Sequence, residues 1–141
     1  MTNRLLNLVS CLSLLFALAF GIIIFYWVVY PYKPMVFKAK VFPISNKIVK
    51  IGMTLSYVSD YCKNIDLPAM VTREFRNELI FVTPSTITNR PTGCHKILIG
   101  VLIPPELPAG KYIMAQTYTY QVNPIRTITV RENTEEFEVI K

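Results

Sequence analysis

Acid is missing from the first 59 positions of this sequence, and charge of either sign is scarce, at 17% of 141 residues. Hydrophobic residues make up 52%. Such a chain is too apolar for a disordered tail, whose solubility rests on charge and few apolar side chains. Histidine occurs once, at His95, and cysteine three times. That inventory falls short of a zinc site, which takes four ligands, usually with closely spaced cysteines. It also falls short of a blue-copper site, which needs two histidines. Glycine occurs five times, never in a phosphate-cradling run, and neither Gly-x-Ser-x-Gly nor His-Glu-x-x-His is present. Asn-x-Ser/Thr acceptors are absent too, which disfavours a glycosylated animal surface protein. No catalytic constellation emerges, so an enzyme is not expected.

What the chain has in excess is apolar sequence at its start. Leu8 to Tyr30 reads LVSCLSLLFALAFGIIIFYWVVY without a charge. As a helix it spans about 34 Å, enough for a hydrocarbon core of about 30 Å. Tyr26, Trp27, Tyr30 and Tyr32 gather at its end, next to Lys33, as amphipathic rings do at the headgroup level. Pro31 and Pro34 then stop the helix. Leu8-Val9-Ser10-Cys11 has lipobox letters and Ala17-Leu18-Ala19 has signal-peptidase letters. Both lie too early in the apolar run, so an uncleaved signal-anchor is expected. Residues 1–32 are assigned to the anchor, 33–40 to a spacer and 41–141 to a folded domain.

Orientation has two readings. Only Arg4 and the amino terminus precede the apolar run, whereas Lys33, Lys38, Lys40, Lys47 and Lys50 follow it. Counting positive charge alone would place the C-terminal part in the cytoplasm. The rule is weak for translocated domains, and cysteines favour an oxidising side. A single-pass protein with its C-terminal domain periplasmic or extracellular is therefore expected. The five lysines either hold the domain base against anionic headgroups or guard an edge strand.

Beyond residue 33 the composition is rich in Ile, Val, Thr, Tyr and Phe, broken by Pro, Gly, Asn and Ser. Strands are predicted at 36–42, 48–58, 71–75, 79–83, 97–103, 111–122, 126–130 and 135–140, with no crossover helix between them. Ile97–Ile103 is apolar on both faces except at Gly100, which predicts a central strand. Arg131–Thr134 reads as the turn of a closing hairpin. The fold class is mainly β: one N-terminal transmembrane α-helix, then a single antiparallel β-sandwich of about seven to eight strands.

Leu107-Pro108-Ala109-Gly110-Lys111-Tyr112-Ile113-Met114 resembles the entry into the sixth strand of immunoglobulin-like and fibronectin-type-III-like sandwiches. The resemblance implies that Tyr112 is a corner tyrosine bonding a nearby backbone group, and that Met114 points inward. The antibody Cys…Trp…Cys set is absent, since Trp27 lies in the apolar run. The plan as a whole resembles small single-pass membrane proteins of bacteria and tailed phages.

Cys62 and Cys94 lie in or beside predicted loops and are disulfide candidates, two unrelated thiols being the alternative. A bridge would close a loop of about 32 residues and stabilise by roughly 3–4 kcal/mol. Asp60, Asp66, Glu74 and Glu78 have Lys63, Arg73 and Arg76 as neighbours, which suits solvated surface pairs. Glu132, Glu135, Glu136 and Glu138 make a small acidic end. The function expected is non-enzymatic: a membrane-anchored domain that binds a protein partner at the cell envelope, through an edge strand at 36–42 or loops at 64–68 and 84–92. The alternative is a redox or metal-handling accessory domain using Cys62, Cys94 and His95. Besides the lipid bilayer and an envelope protein, no cofactor, nucleic acid or small-molecule ligand is expected.

Overall fold

The lipid-length apolar run forms one helix, the conformation that pairs its own backbone groups. A computed structural model describes residues 2–141, with side chains from residue 7 onward; Arg4 thus lies outside the described side chains. Helix α1 spans Thr2–Val29, and within it Asn7–Val29 is long and apolar enough to cross a membrane, with no residue of its most apolar window buried. By chain contacts α1 and the turn 123–126 form one compact unit, and residues 33–122 with 127–141 form the other.

The second unit is two facing sheets. One has three strands in the order β1-β4-β8, namely Met35–Phe37, Thr54–Lys63 and Gly93–Leu102. The other runs β2 (Val41–Phe42), β10 (Arg126–Ile140), β9 (Gly110–Asn123), β5 (Ala69–Arg76), β6 (Ile80–Val82). In addition β3 (Ile48–Lys50) pairs with β10, and β7 (Thr86–Thr88) pairs with β5. The mainly β architecture behind one apolar helix is as expected, but it is cut more finely, and β2 and β3 run parallel to β10. Strand β1 falls within residues 33–40, the stretch assigned to a spacer.

Alternation sets the inner faces. Along β4, Leu55, Tyr57, Ser59, Tyr61 and Lys63 point in, and Thr54 to Cys62 alternate outward with them. Two apolar clusters fill the space between the sheets. The larger holds Phe42, Leu55, Tyr57, Phe75, Ile103, Leu107, Met114 and Phe137 among others. The smaller holds Met35, Tyr61, Ala69, Val71, Tyr118 and Tyr120.

Three strand assignments change. The expected strand 48–58 is interrupted because the chain changes sheets: Lys50 pairs in one sheet and Thr54 in the other. Gly52 makes the crossing with φ +76°, a left-handed conformation that glycine adopts without a Cβ clash. The hairpin turn is not at Arg131–Thr134, which lies inside β10; it falls at Pro124-Ile125. Inward positions on β10 shift from 132 and 134 to 137 and 139, so one extra residue is taken up between them. At that slip the Thr134 hydroxyl accepts the Met114 N–H at 3.1 Å. Finally, Ile97–Ile103 is not central. Strand β8 pairs only with β4 and forms a sheet edge.

Tyr112 stands at the start of β9, buried, and its hydroxyl donates to the Pro108 carbonyl at 2.9 Å. Tyr112→Phe should therefore lower stability by about 1 kcal/mol. Phe75→Ala, which empties a site of zero exposure, should cost about 3–5 kcal/mol. Urea unfolding of the full chain in detergent, followed by circular dichroism, checks both.

Candidate functional site

The most concentrated polar chemistry is internal. Glu132 on β10 is 2% exposed. Its Oε1 accepts from the Tyr57 hydroxyl at 2.8 Å and the Tyr118 hydroxyl at 2.6 Å. Its Oε2 accepts from the Ser59 hydroxyl at 2.8 Å. Three inward hydroxyls, two from β4 and one from β9, thus converge on one carboxylate of β10. Arg90, in the segment before β8, brings its guanidinium to 3.6 Å from Oε1. The guanidinium is stacked between the rings of Tyr61 and Tyr118, at 4.9 and 4.7 Å from their centroids. It also donates to the Tyr118 hydroxyl. Gln116 accepts from Arg73 Nε at 2.9 Å and donates to Tyr118.

A buried carboxylate without donors would cost several kcal/mol; here both oxygens are engaged and a cation lies beside them. Tyr57 and Tyr118 are held well above the ordinary phenol pKa, first by burial and then by the negative charge of Glu132. Burial pushes the Lys63 ammonium down, against the pull of Asp66. Lys63 donates to Asn89 Oδ1 at 2.5 Å and the Arg90 carbonyl at 2.7 Å, pinning the segment that delivers Arg90. Asn89 in turn donates to Asp66 at 3.3 Å.

Glu132 therefore does not belong to an acidic surface, and Lys63 is not a solvated partner. The loop 84–92, expected to face a partner, contains β7 and turns Arg90 inward. The other expected surface pairs form differently: Lys38 with Asp60 at 3.0 Å, and Arg131 with Glu74 at 3.1 Å, where Arg76 also binds. The expected edge 36–42 is divided between β1, paired to β4, and β2, paired to β10.

Cys62 and Cys94 are bridged, with S–S 2.06 Å and Cα–Cα 3.9 Å. They lie not in loops but directly opposite each other on β4 and β8. His95 is the next residue along, so its ring turns to the other face. It lies 5.9 Å from the Tyr61 ring, with Nε2 2.7 Å from the Thr92 carbonyl oxygen. Cys62, Cys94 and His95 are thus not brought to one point, and no metal-competent group of three His, Cys, Asp or Glu occurs among the described residues. Cys11 is a free, exposed thiol on α1.

At the end of α1, Tyr26 packs on Tyr30 at 5.0 Å and Tyr30 on Tyr32 at 4.7 Å between centroids. The last carbonyls of the helix find donors: Trp27 O accepts from Asn123 at 3.0 Å, and Val28 O and Tyr30 O accept from Arg126 at 2.8 and 2.7 Å. A cation there also complements the negative end of the helix. Arg126 lies 5.8 Å over the Tyr32 ring. The Lys33 carbonyl accepts from Asn64 at 2.8 Å.

Outside α1, the outward face of the larger sheet carries several exposed apolar side chains. Met70, Ile80, Val82, Ile87 and Ile113 are all exposed there, Ile87 to 81%. The ladders place Met70 opposite Ile87, and Ile80 opposite Arg76, whose other neighbour is Ile113. Beside this face opens a cleft of 340 Å³ between the β5–β6 turn and the 106–109 segment, lined by Leu79, Phe81, Leu107 and Tyr112 with Glu78 and Glu106. No protein-family model and no curated protein sequence matches the chain.

Two outcomes follow from the buried carboxylate. Arg90→Ala leaves Glu132 without its cation and should destabilise the chain by about 3–5 kcal/mol, read by urea unfolding; Lys111→Ala, at an exposed pair, should change it by less than about 1 kcal/mol. Raising the pH gives the second. An unfolded tyrosine ionises near pH 10, whereas Tyr57 and Tyr118 keep their protons in the folded state. The stability they contribute is full below about pH 10 and is lost as the pH rises beyond it, because the unfolded state then binds fewer protons. Tyrosinate absorbance should therefore rise in two steps, the second coincident with loss of the far-ultraviolet dichroism.

Proposed function

We propose that this chain is a non-enzymatic, membrane-anchored β-sandwich of the immunoglobulin-like type that binds a protein partner at the cell envelope. The observation that carries the reading is the exposure of Met70, Ile80, Val82, Ile87 and Ile113 on one face of the larger sheet. These side chains form two exposed apolar groups, Met70 with Ile87 and Ile80 with Val82 and Ile113, separated by Thr72 and Glu74; exposed apolar groups on a folded domain mark interaction sites with other macromolecules. The polar side chains nearest to chemistry, Glu132, Tyr57, Tyr118 and Arg90, are spent on each other inside the fold. The Tyr112–Pro108 bond supports the immunoglobulin-like reading, because a corner tyrosine closes on backbone a few residues upstream in that architecture.

The apolar helix supports anchoring, by length and by the absence of charge. The Cys62–Cys94 bridge supports an oxidising compartment for the domain, since cytosolic thiols are kept reduced. An anchored domain is confined to two dimensions, which raises its effective concentration toward membrane-bound partners.

A photo-crosslinking residue at Ile87 in intact cells tests this reading. A discrete adduct is expected, lost on adding Val82→Glu and absent when the crosslinker replaces Lys111. Membrane-impermeant thiol labelling of the same cells, after reduction, should reach Cys62 and Cys94 without lysis. No adduct at Ile87, or labelling only after lysis, overturns the partner reading or the assigned side respectively.

A further inference from the structure

The sheet edges of this protein are unequal. Strands β1, β3, β6 and β7 have three residues each and β2 has two, lengths that offer little to an incoming strand. Strand β8 has ten, Gly93–Leu102, and pairs on one side only. It contains no proline, and its ten-pair register with β4 is unbroken by a bulge. Its one charge is Lys96. Leu98 and Leu102 point outward and are 68% and 61% exposed. A long apolar strand whose backbone is unpaired along one edge is a template for pairing with another strand.

The ladder fixes which backbone groups are open. On β4, the carbonyls of Ser56 and Asp60 are taken from the far side, by the N–H groups of Ser45 and Lys38. Their cross-strand partners are Gly100 and Lys96. These are therefore the non-hydrogen-bonded pairs of the ladder, as is Cys62–Cys94 with its 3.9 Å Cα separation. Ile103 has the opposite parity and bonds toward the β4 side through both its N–H and its C=O, to Met53 and Gly52. It follows that Cys94, Lys96, Leu98, Gly100 and Leu102 present their N–H and C=O groups to the open edge.

We infer that this edge is occupied by β8 of a second copy of the chain, antiparallel and two-fold symmetric about Leu98. In that register Leu98 meets Leu98, Lys96 meets Gly100, and Cys94 meets Leu102. All are hydrogen-bonded pairs by the parity above, so each exchanges two backbone bonds. No lysine faces a lysine. Gly100 is already required within the sheet, because a Cβ there would come 2.9 Å from the Thr54 methyl; the same missing side chain leaves room for the Lys96 stem of the second copy. The inner face pairs Ile97 with Ile99 and His95 with Val101, again without like charges. The two three-stranded sheets become one of six. This inference concerns a different surface from the Ile87 face and does not rest on the partner proposed above.

The test uses the full chain in detergent, on a Cys11→Ser background so that only an introduced thiol reacts. Leu98→Cys places two thiols across the two-fold axis with Cα atoms about 5.5 Å apart, inside the reach of a disulfide at about 4.4–6.8 Å. Mild oxidation should link most of the Leu98→Cys chains into covalent dimers, at least tenfold more than Ile87→Cys. Leu98→Lys, at an exposed position, should raise the dimer dissociation constant at least tenfold by sedimentation equilibrium while leaving the thermal melt of the sandwich in place. A single-chain mass throughout the concentration range overturns the inference. So does a dimer that Leu98→Lys leaves intact, or one in which Leu98→Cys links no better than Ile87→Cys; α1 would then be what associates.

Discussion

The interior is organised around one negative charge. Burying the Glu132 carboxylate is tolerable only if every donor arrives together, and those donors come from separate parts of the chain: Tyr57 and Ser59 from β4, Tyr118 from β9, Arg90 from the approach to β8. The carboxylate therefore acts as a register check on both sheets. A one-residue slip in β4, β9 or β10 would turn the relevant side chain to solvent and leave the charge unpaired.

This junction also explains the division of the core. Tyr57 belongs to the larger apolar cluster and Tyr118 to the smaller, and their hydroxyls meet on the same carboxylate oxygen. The two clusters are thus joined by a polar layer instead of merging. Tyrosine suits the place, because its ring packs in the apolar cluster while its hydroxyl reaches the layer. Arg90 contributes in the same way, with its guanidinium plane against Tyr61 and Tyr118.

Much of the architecture is legible in the sequence because period-two alternation survives in β4, β9 and the end of β10. The apolar helix needs only length and absence of charge. What escapes reading follows from polar residues placed inside. Glu132 and Thr134 look like turn residues, yet each is buried with a named partner, and the extra residue after them hides the continuity of β10. A polar side chain is ambiguous in sequence: the same letters serve a wet loop and a satisfied interior. Strand β8 misleads in the other direction, since an apolar strand at an edge has the letters of a central one. The Tyr112–Pro108 bond is readable because it is local, with donor and acceptor four residues apart. Arg90 is not, because its partner lies on a distant strand and nothing in the intervening sequence announces the approach.

The Cys62–Cys94 bridge joins two strands that are already neighbours, but the chain between them makes an excursion through the other sheet as β5, β6 and β7. A load applied between the amino-terminal helix and the carboxyl terminus would cross from Cys62 to Cys94 through sulfur and bypass that excursion. The 32-residue separation corresponds to roughly 110 Å of extended chain at about 3.4 Å per residue, all withheld from the pull. Strands β5, β6 and β7, which carry most of the exposed apolar face, would stay closed within a covalent loop while the rest of the domain was drawn out.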